Sequence, residues 1–208
     1  MNADPSDQFG SAARSIRQYV DILSTRGIEW GLLGPREGDR LWDRHILNSV
    51  AVASLIPEGA TVVDVGSGAG LPGLPLALLR PDLMVTLLES LLRRSEFLQL
   101  SVDELGLQDR VRVVRARAEE HRECYQVVTA RAVAPLERLV GWCEPLMERD
   151  GALLALKGSS AADELAASAD ALSARGLVGA VRELAGPGTD EVTWAVEIRR
   201  RRDHHPLS

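Results

Sequence analysis

An aspartate, three alternate glycines and a later glutamate stand where a chain could hold a nucleoside: Asp64-Val65-Gly66-Ser67-Gly68-Ala69-Gly70, with Glu89 21 residues after Gly68. The glycines follow the β-branched run Thr61–Val65 and lead through Leu71-Pro72-Gly73-Leu74-Pro75 into the apolar stretch Leu76–Leu79. That order predicts strand, glycine turn and helix, the opening of a nucleotide-type site in an α/β sheet. Glycine admits positive φ and lets a ligand lie against main-chain groups. A carboxylate such as Glu89 at the end of the next strand, within Pro81–Leu88, can accept hydrogen bonds from both hydroxyls of a ribose. Gly68-Ala69-Gly70-Leu71-Pro72-Gly73 also fits the dinucleotide pattern G-x-G-x-x-G. A nicotinamide enzyme would use its acid in the same way, so Glu89 does not discriminate alone.

Other chemistry-bearing residues sit at predicted strand ends. Arg117-Ala118-Glu119 follows the alternating run 110–115, Arg131 follows Gln126–Ala130, and Lys157 closes Gly151–Leu156. Ligands of a doubly wound sheet lie at the carboxyl ends of its strands, so these scattered positions are expected along one edge. Arg131 after a short apolar strand is costly unless its charge is paired.

The elements that must position these residues alternate between strand and helix, which implies a mostly parallel sheet with helices on both faces. Helical spacing is read over 7–26 and over 39–56 with Asp39 as N-cap, ahead of the sheet; these form an N-terminal helical extension, 1–58. The sheet domain is expected over 59–200. Within it, helices are read over 91–105, after Pro135 and over 161–175, and a closing strand pair over 178–184 and 192–198. One strand of that pair is expected to be antiparallel. Residues from Arg199 onward read as a loose basic tail, with 201–208 its flexible part.

Composition sets the outer limits. At 208 residues the chain suits one domain plus the extension. Its net charge of −6 argues against a strongly basic nucleic-acid binder. The basic residues are nearly all arginine, with Lys157 the single lysine. No apolar run is long enough to span a membrane, and the polar start MNADPSDQFG is unlike a signal peptide. Cys124, Cys143 and the four histidines lack metal-ligand spacing, so the chain is expected to be a cytoplasmic protein with free thiols, no metal and no membrane partner.

The Asp64-x-Gly66-x-Gly68-x-Gly70 loop after a strand resembles the first motif of S-adenosylmethionine (SAM) dependent methyltransferases. The closing strand pair suits their Rossmann-like, seven-stranded mostly parallel α/β sheet, whereas a dehydrogenase would add a parallel sixth strand and a substrate domain. The likeness is closer still to the ribosomal RNA small subunit methyltransferase G family, also called glucose-inhibited division protein B. Asp64–Gly73 resembles its signature, Arg44–Ser49 its Arg-His-(Ile/Leu)-Leu-Asp-Ser segment, and Leu88-Glu89-Ser90 its second strand end. Arg117–Glu120, Thr129–Ala132 and Leu156-Lys157-Gly158 follow in the family's order. Three positions depart from it: Ala69 stands for proline, Asn48 for aspartate, and Gly31-Leu32-Leu33 for Asn-Leu-Thr.

The resemblance implies methyl transfer from SAM to N7 of one guanine in 16S rRNA of the 30S subunit, with no general base. A methyltransferase of the same fold acting on a small molecule or protein is the alternative, and an NAD-dependent oxidoreductase a further one. In this reading Gly66, Gly68, Gly70 and Leu71 hold the methionine part of SAM. Asp64 orients the loop or the SAM amine, Glu89 takes the ribose, and Ala118 and Glu119 flank the adenine. Arg131 binds the SAM carboxylate or an RNA phosphate. Lys157 meets a phosphate or forms a structural ion pair. Arg36, Arg40, Arg44, His45, Arg93, Arg94 and Arg199–Arg202 are candidates for a basic RNA-facing surface. Trp30 and Trp42 either stack on a base or pack the extension onto the sheet. A monomer is the expected state.

Overall fold

The computed structural model describes residues 6–35, 37, 40–131 and 133–201. Its centre is a seven-stranded sheet in the order β3-β2-β1-β4-β5-β7-β6. The strands are β1 (Thr61–Val65), β2 (Met84–Leu88), β3 (Val111–Val114), β4 (Tyr125–Arg131), β5 (Met147–Lys157), β6 (Leu177–Ala185) and β7 (Val192–Arg200). All neighbours pair in parallel except β7, which runs antiparallel to both β5 and β6. The expected closing pair is therefore present. β1 is buried from its second residue onward, as befits a parallel strand covered on both faces, whereas the edge strand β6 is largely exposed.

Side chains alternate across β1, so Val62 and Asp64 point to one face and Val63 and Val65 to the other. Val62 joins a core with Leu74, Phe97 and the N-terminal residues Phe9, Ile16 and Tyr19. Val63 and Val65 join a second core with Leu136, Leu153 and Val196. The chain N-terminal to the sheet thus packs directly onto it and places Asp64 beneath that layer. Among the described residues no helix is long and apolar enough to cross a membrane.

The helices are α1 (Ala13–Ile22), α2 (Asn48–Val50), α3 (Gly73–Leu79), α4 (Leu92–Glu104), α5 (Leu136–Cys143), α6 (Ala161–Ala167) and α7 (Ala169–Ala174). Three segments differ from the sequence expectation. The 7–26 helix is a 3-10 lead-in with a kink at Gly10 (φ 53°), then α1, then a wide turn over Leu23–Gly27 that buries both Leu23 and Gly27. The 39–56 helix is a wide-turned stretch Leu41–Leu47, α2, and a 3-10 turn Ala51–Leu55 that stops at extended Ile56. Pro57 follows, and proline pushes its predecessor out of the helical region. The proposed N-cap Asp39 lies outside the described residues, as does Arg36. The 161–175 helix breaks at buried Ser168, whose hydroxyl donates to the Glu164 carbonyl at 2.8 Å.

Two strand ends also move. β5 starts at Met147 rather than Gly151, because the pairing with β4 shifts register between Tyr125 and Val127. Gly151 sits at that irregularity, where a Cβ would come within 3.0 Å of the Gln126 carbonyl. Arg199 and Arg200, expected in a loose tail, lie in β7; Arg199 pairs with Glu197 and Arg200 with Glu144. Residues 202–208 lie outside the described residues.

Candidate functional site

Strand order reverses between β1 and β4, so a crevice opens at their carboxyl ends. The glycine loop leaves β1 there. Gly66, Gly68 and Gly70 have φ of 69°, 57° and 98°, values that side chains rarely tolerate. The loop is tied from below. Ser67 Oγ donates to the Asp64 carbonyl at 2.7 Å, and the Gly73 N–H donates to Asp64 Oδ2 at 3.0 Å. Asp64 therefore braces the start of α3, and its Oδ1 is buried with no hydrogen-bond partner among the described residues. Burial pushes the Asp64 carboxyl up to about 7, against the opposing pull of the Gly73 N–H.

Glu89 leaves β2 beside this loop and is 3% exposed. Its Oε2 accepts the Gly68 N–H at 3.0 Å and its Oε1 the Leu91 N–H at 2.9 Å. Each carboxylate oxygen has capacity for a further bond, so Glu89 can fix the loop and still receive hydroxyl donors.

Two adjoining cavities line the crevice. The first, about 220 Å³, is walled by Leu88, Ser90, Ala116–Glu119, Val133 and Trp142. The second, about 430 Å³, is walled by the loop 66–69, Leu71, Glu89, Leu91, Arg94, Arg131 and the N-terminal Leu32 and Leu33. Gly66, Ser90 and Val133 border both. A Cβ on Gly66 would lie 3.1 Å from a Val133 methyl, tighter than ordinary van der Waals contact, at the place the two cavities share. Gly66, Gly68, Leu71, Glu89, Ala118, Glu119 and Arg131 are thus brought together; Asp64 lies just behind them, and Gly70 turns toward the core, where a Cβ would meet Leu74 and Tyr19. Val133 and Trp142 carry no role in the sequence reading; Ser90 enters there only as part of the Leu88-Glu89-Ser90 segment, and Leu32–Leu33 only as a departure from the family pattern. Val133 directly follows the Thr129–Ala132 segment, whereas Trp142 carries no motif signal.

Arg131 closes the second cavity from the end of β4. Its guanidinium donates to the Arg44 carbonyl at 3.3 Å and to His45 Nδ1 at 3.0 Å. Since His45 Nδ1 accepts, its other ring nitrogen carries the proton and donates to Glu37 Oε2 at 2.8 Å. Burial and then the Arg131 charge hold His45 below the ordinary histidine range, which favours this neutral form. Burial also lowers the Arg131 pKa, while nearby Tyr19 and Asp64 act to raise it. Arg44 pairs with Glu37 at 3.3 Å.

Lys157 does not face the crevice opening. Its side chain is 9% exposed and bonds Glu164 at 2.7 Å and the Ala134 carbonyl at 2.9 Å. It braces the segment that carries Val133. Trp30 packs on Phe97 with ring centroids 6.0 Å apart, and Trp42 on Phe9 at 6.2 Å. Arg93 lies over Trp30 at 5.8 Å, and Arg94 reaches Glu89 at 3.9 Å. Beside them Leu91 and Leu92 are more than half exposed at the crevice rim.

Comparisons with known proteins agree with this geometry. A family model described as rRNA small subunit methyltransferase G matches residues 12–185. A protein of that name from Kineococcus radiotolerans is 50% identical over 201 residues, covering 96% of this chain and 79% of the relative. Another from Streptomyces coelicolor is 54% identical over 173 residues, covering 82% and 72%. In structure the fold is similar to an O-methyltransferase from neocarzinostatin biosynthesis in complex with S-adenosylmethionine, with TM-score 0.63, 18% identity and coverage of 94% of this chain and 69% of that one. It is also similar to a tRNA methyltransferase of B. subtilis, with TM-score 0.57, 15% identity and coverage of 75% and 66%. These structural likenesses carry the fold alone.

Proposed function

Because the chain belongs to the rRNA small subunit methyltransferase G family and is a SAM-dependent methyltransferase, we propose that it methylates N7 of one guanine in 16S rRNA. The observation that carries the reading is the divided crevice, in which a small cavity walled by Ala116–Glu119 and Trp142 adjoins a larger one that holds the glycine loop, Glu89, Arg94 and Arg131, with Gly66, Ser90 and Val133 common to both. The residues fit SAM: Gly66, at positive φ and tight against Val133, leaves main chain facing both cavities, and Glu89 has hydrogen-bonding capacity left.

When bound, SAM supplies an electrophilic methyl group on a positively charged sulfur. The adenosine part belongs in the cavity of Ser90, Ala118, Glu119 and Val133, with Glu89 as acceptor for the ribose hydroxyls. Gly66, Gly68 and Leu71 border the methionine part, Gly70 shapes the loop from its core side, and Asp64 sets the loop from behind. Arg131 offers its forked donors to the methionine carboxylate or to an RNA phosphate. Guanine N7 carries a lone pair and no proton at neutral pH, so no side chain must remove a proton before attack. The work of the chain is to bind, to orient and to keep water out.

At the rim, Leu91, Leu92, Arg93 and Arg94 offer apolar contact and positive charge to the acceptor strand. Arg44 and His45 lie on the N-terminal side, where His45 acts through Arg131. Lys157 acts on the 133–135 segment rather than on phosphate. The protein is read as a cytoplasmic monomer whose partner is the 30S subunit.

Radiolabelled SAM offered together with unmodified 30S subunits, deproteinised 16S rRNA and bulk protein tests the acceptor. Label in 16S rRNA supports the reading. SAM binding with label only in protein or in small molecules moves the acceptor to another class.

A further inference from the structure

We propose that Tyr19, on α1 of the N-terminal layer, is a positioning residue of the SAM site, its hydroxyl holding the glycine loop in its receptive shape. The inference rests on the reading above that this loop borders SAM. Tyr19 is fully buried, and its Oη donates to the Ala69 carbonyl at 2.7 Å across 50 residues of sequence. Ala69 lines the second cavity. The other tethers described above come from the sheet side: Glu89 to the Gly68 N–H, Asp64 to the Gly73 N–H, and Ser67 to the Asp64 carbonyl. Tyr19 is the tether from the opposite side.

Its hydroxyl also stands close to Gly70, where a Cβ would lie 3.0 Å from it. The loop therefore passes between Tyr19 and the sheet with no spare room. Burial pushes the Tyr19 phenol above its ordinary range, so it remains an O–H donor at neutral pH. Docking of α1 does not need this hydroxyl, because Ile16, Ile22 and Leu23 are themselves buried in the same core. The hydroxyl acts on the loop, and through it on the ligand.

Y19F and the control Y125F, made in the full chain, separate positioning from simple stability. Tyr125 is equally a buried tyrosine, but its hydroxyl bonds His121 and Arg112 away from the crevice. Calorimetric titration should show Y19F binding SAM roughly fivefold to tenfold more weakly, the scale of one lost hydrogen bond, while Y125F matches wild type. Hydrogen exchange of ligand-free Y19F should be faster over residues 66–71 and unchanged in the sheet. Unchanged SAM affinity in Y19F, an equal loss in Y125F, or a uniform loss of protection across Y19F would overturn the proposal. Wild type that binds no SAM would instead overturn the reading on which it rests.

Discussion

The two halves of the crevice are built by different means. The half formed by Ser90, Ala116–Glu119 and Val133 is made mostly of segments that directly follow strands of the sheet, with Trp142 of α5 added to its wall. The half around Arg131 is completed from far away: Arg131 meets His45 across 86 residues and Ala69 meets Tyr19 across 50. The first half is small and largely apolar; the second is larger and flanked by Arg94 and Arg131. The difference suits a site whose donor is always the same nucleoside and whose acceptor approaches from outside.

Substitutions can break that division. Glu89→Ala should have the largest effect, since it strips acceptors from the Gly68 and Leu91 N–H groups as well as from the ribose. SAM affinity should fall about 100-fold, nearly 3 kcal/mol, measured by calorimetry. Arg131→Lys keeps the charge but loses the fork that spans Arg44 and His45. Here kcat/KM on 30S subunits should fall about tenfold or more, with a melting temperature close to wild type.

Asp64→Asn sharpens the comparison through pH. The folded carboxyl titrates near 7 against an ordinary 3.8, so between those values the folded state keeps a proton that the unfolded chain has released. This contribution to stability is greatest below about pH 4 and is lost as pH rises to about 7. Asparagine does not titrate, so D64N should gain relative to wild type by up to about 4 kcal/mol between pH 4 and 8 in urea unfolding. A pH-independent difference would show that burial does not raise Asp64. The smallest effect is expected at Arg182→Ala on β6, away from the crevice: its half-exposed guanidinium pairs with buried Glu197 of β7, which keeps Arg199 as a partner. Stability should change by under about 1 kcal/mol and SAM affinity not at all.

Much of the sheet side of the crevice was legible in the sequence. β-branched runs closed by glycine or by a charge marked β1, β2 and β4, and strand ends in a doubly wound sheet must share an edge. Glu89 and Ala118 were found that way. The N-terminal layer was less legible. Its residues show helical spacing, yet nothing local announces the wide turn at Leu23–Gly27 or that Tyr19 reaches Ala69. Lys157 illustrates the same limit: a cation at a strand end reads alike whether it faces solvent or, as here, Glu164 and the Ala134 carbonyl. Pairing between elements decides such positions, and it leaves no periodic trace.

The central claim is tested most directly by mapping the transferred methyl group. Unmodified 30S subunits labelled by this protein and SAM would be treated with the reduction and aniline sequence that breaks RNA chains at 7-methylguanine. The account predicts cleavage at one guanine of 16S rRNA that accounts for all incorporated label. Label that survives the treatment without chain cleavage, or that lies on ribosomal protein, would contradict it.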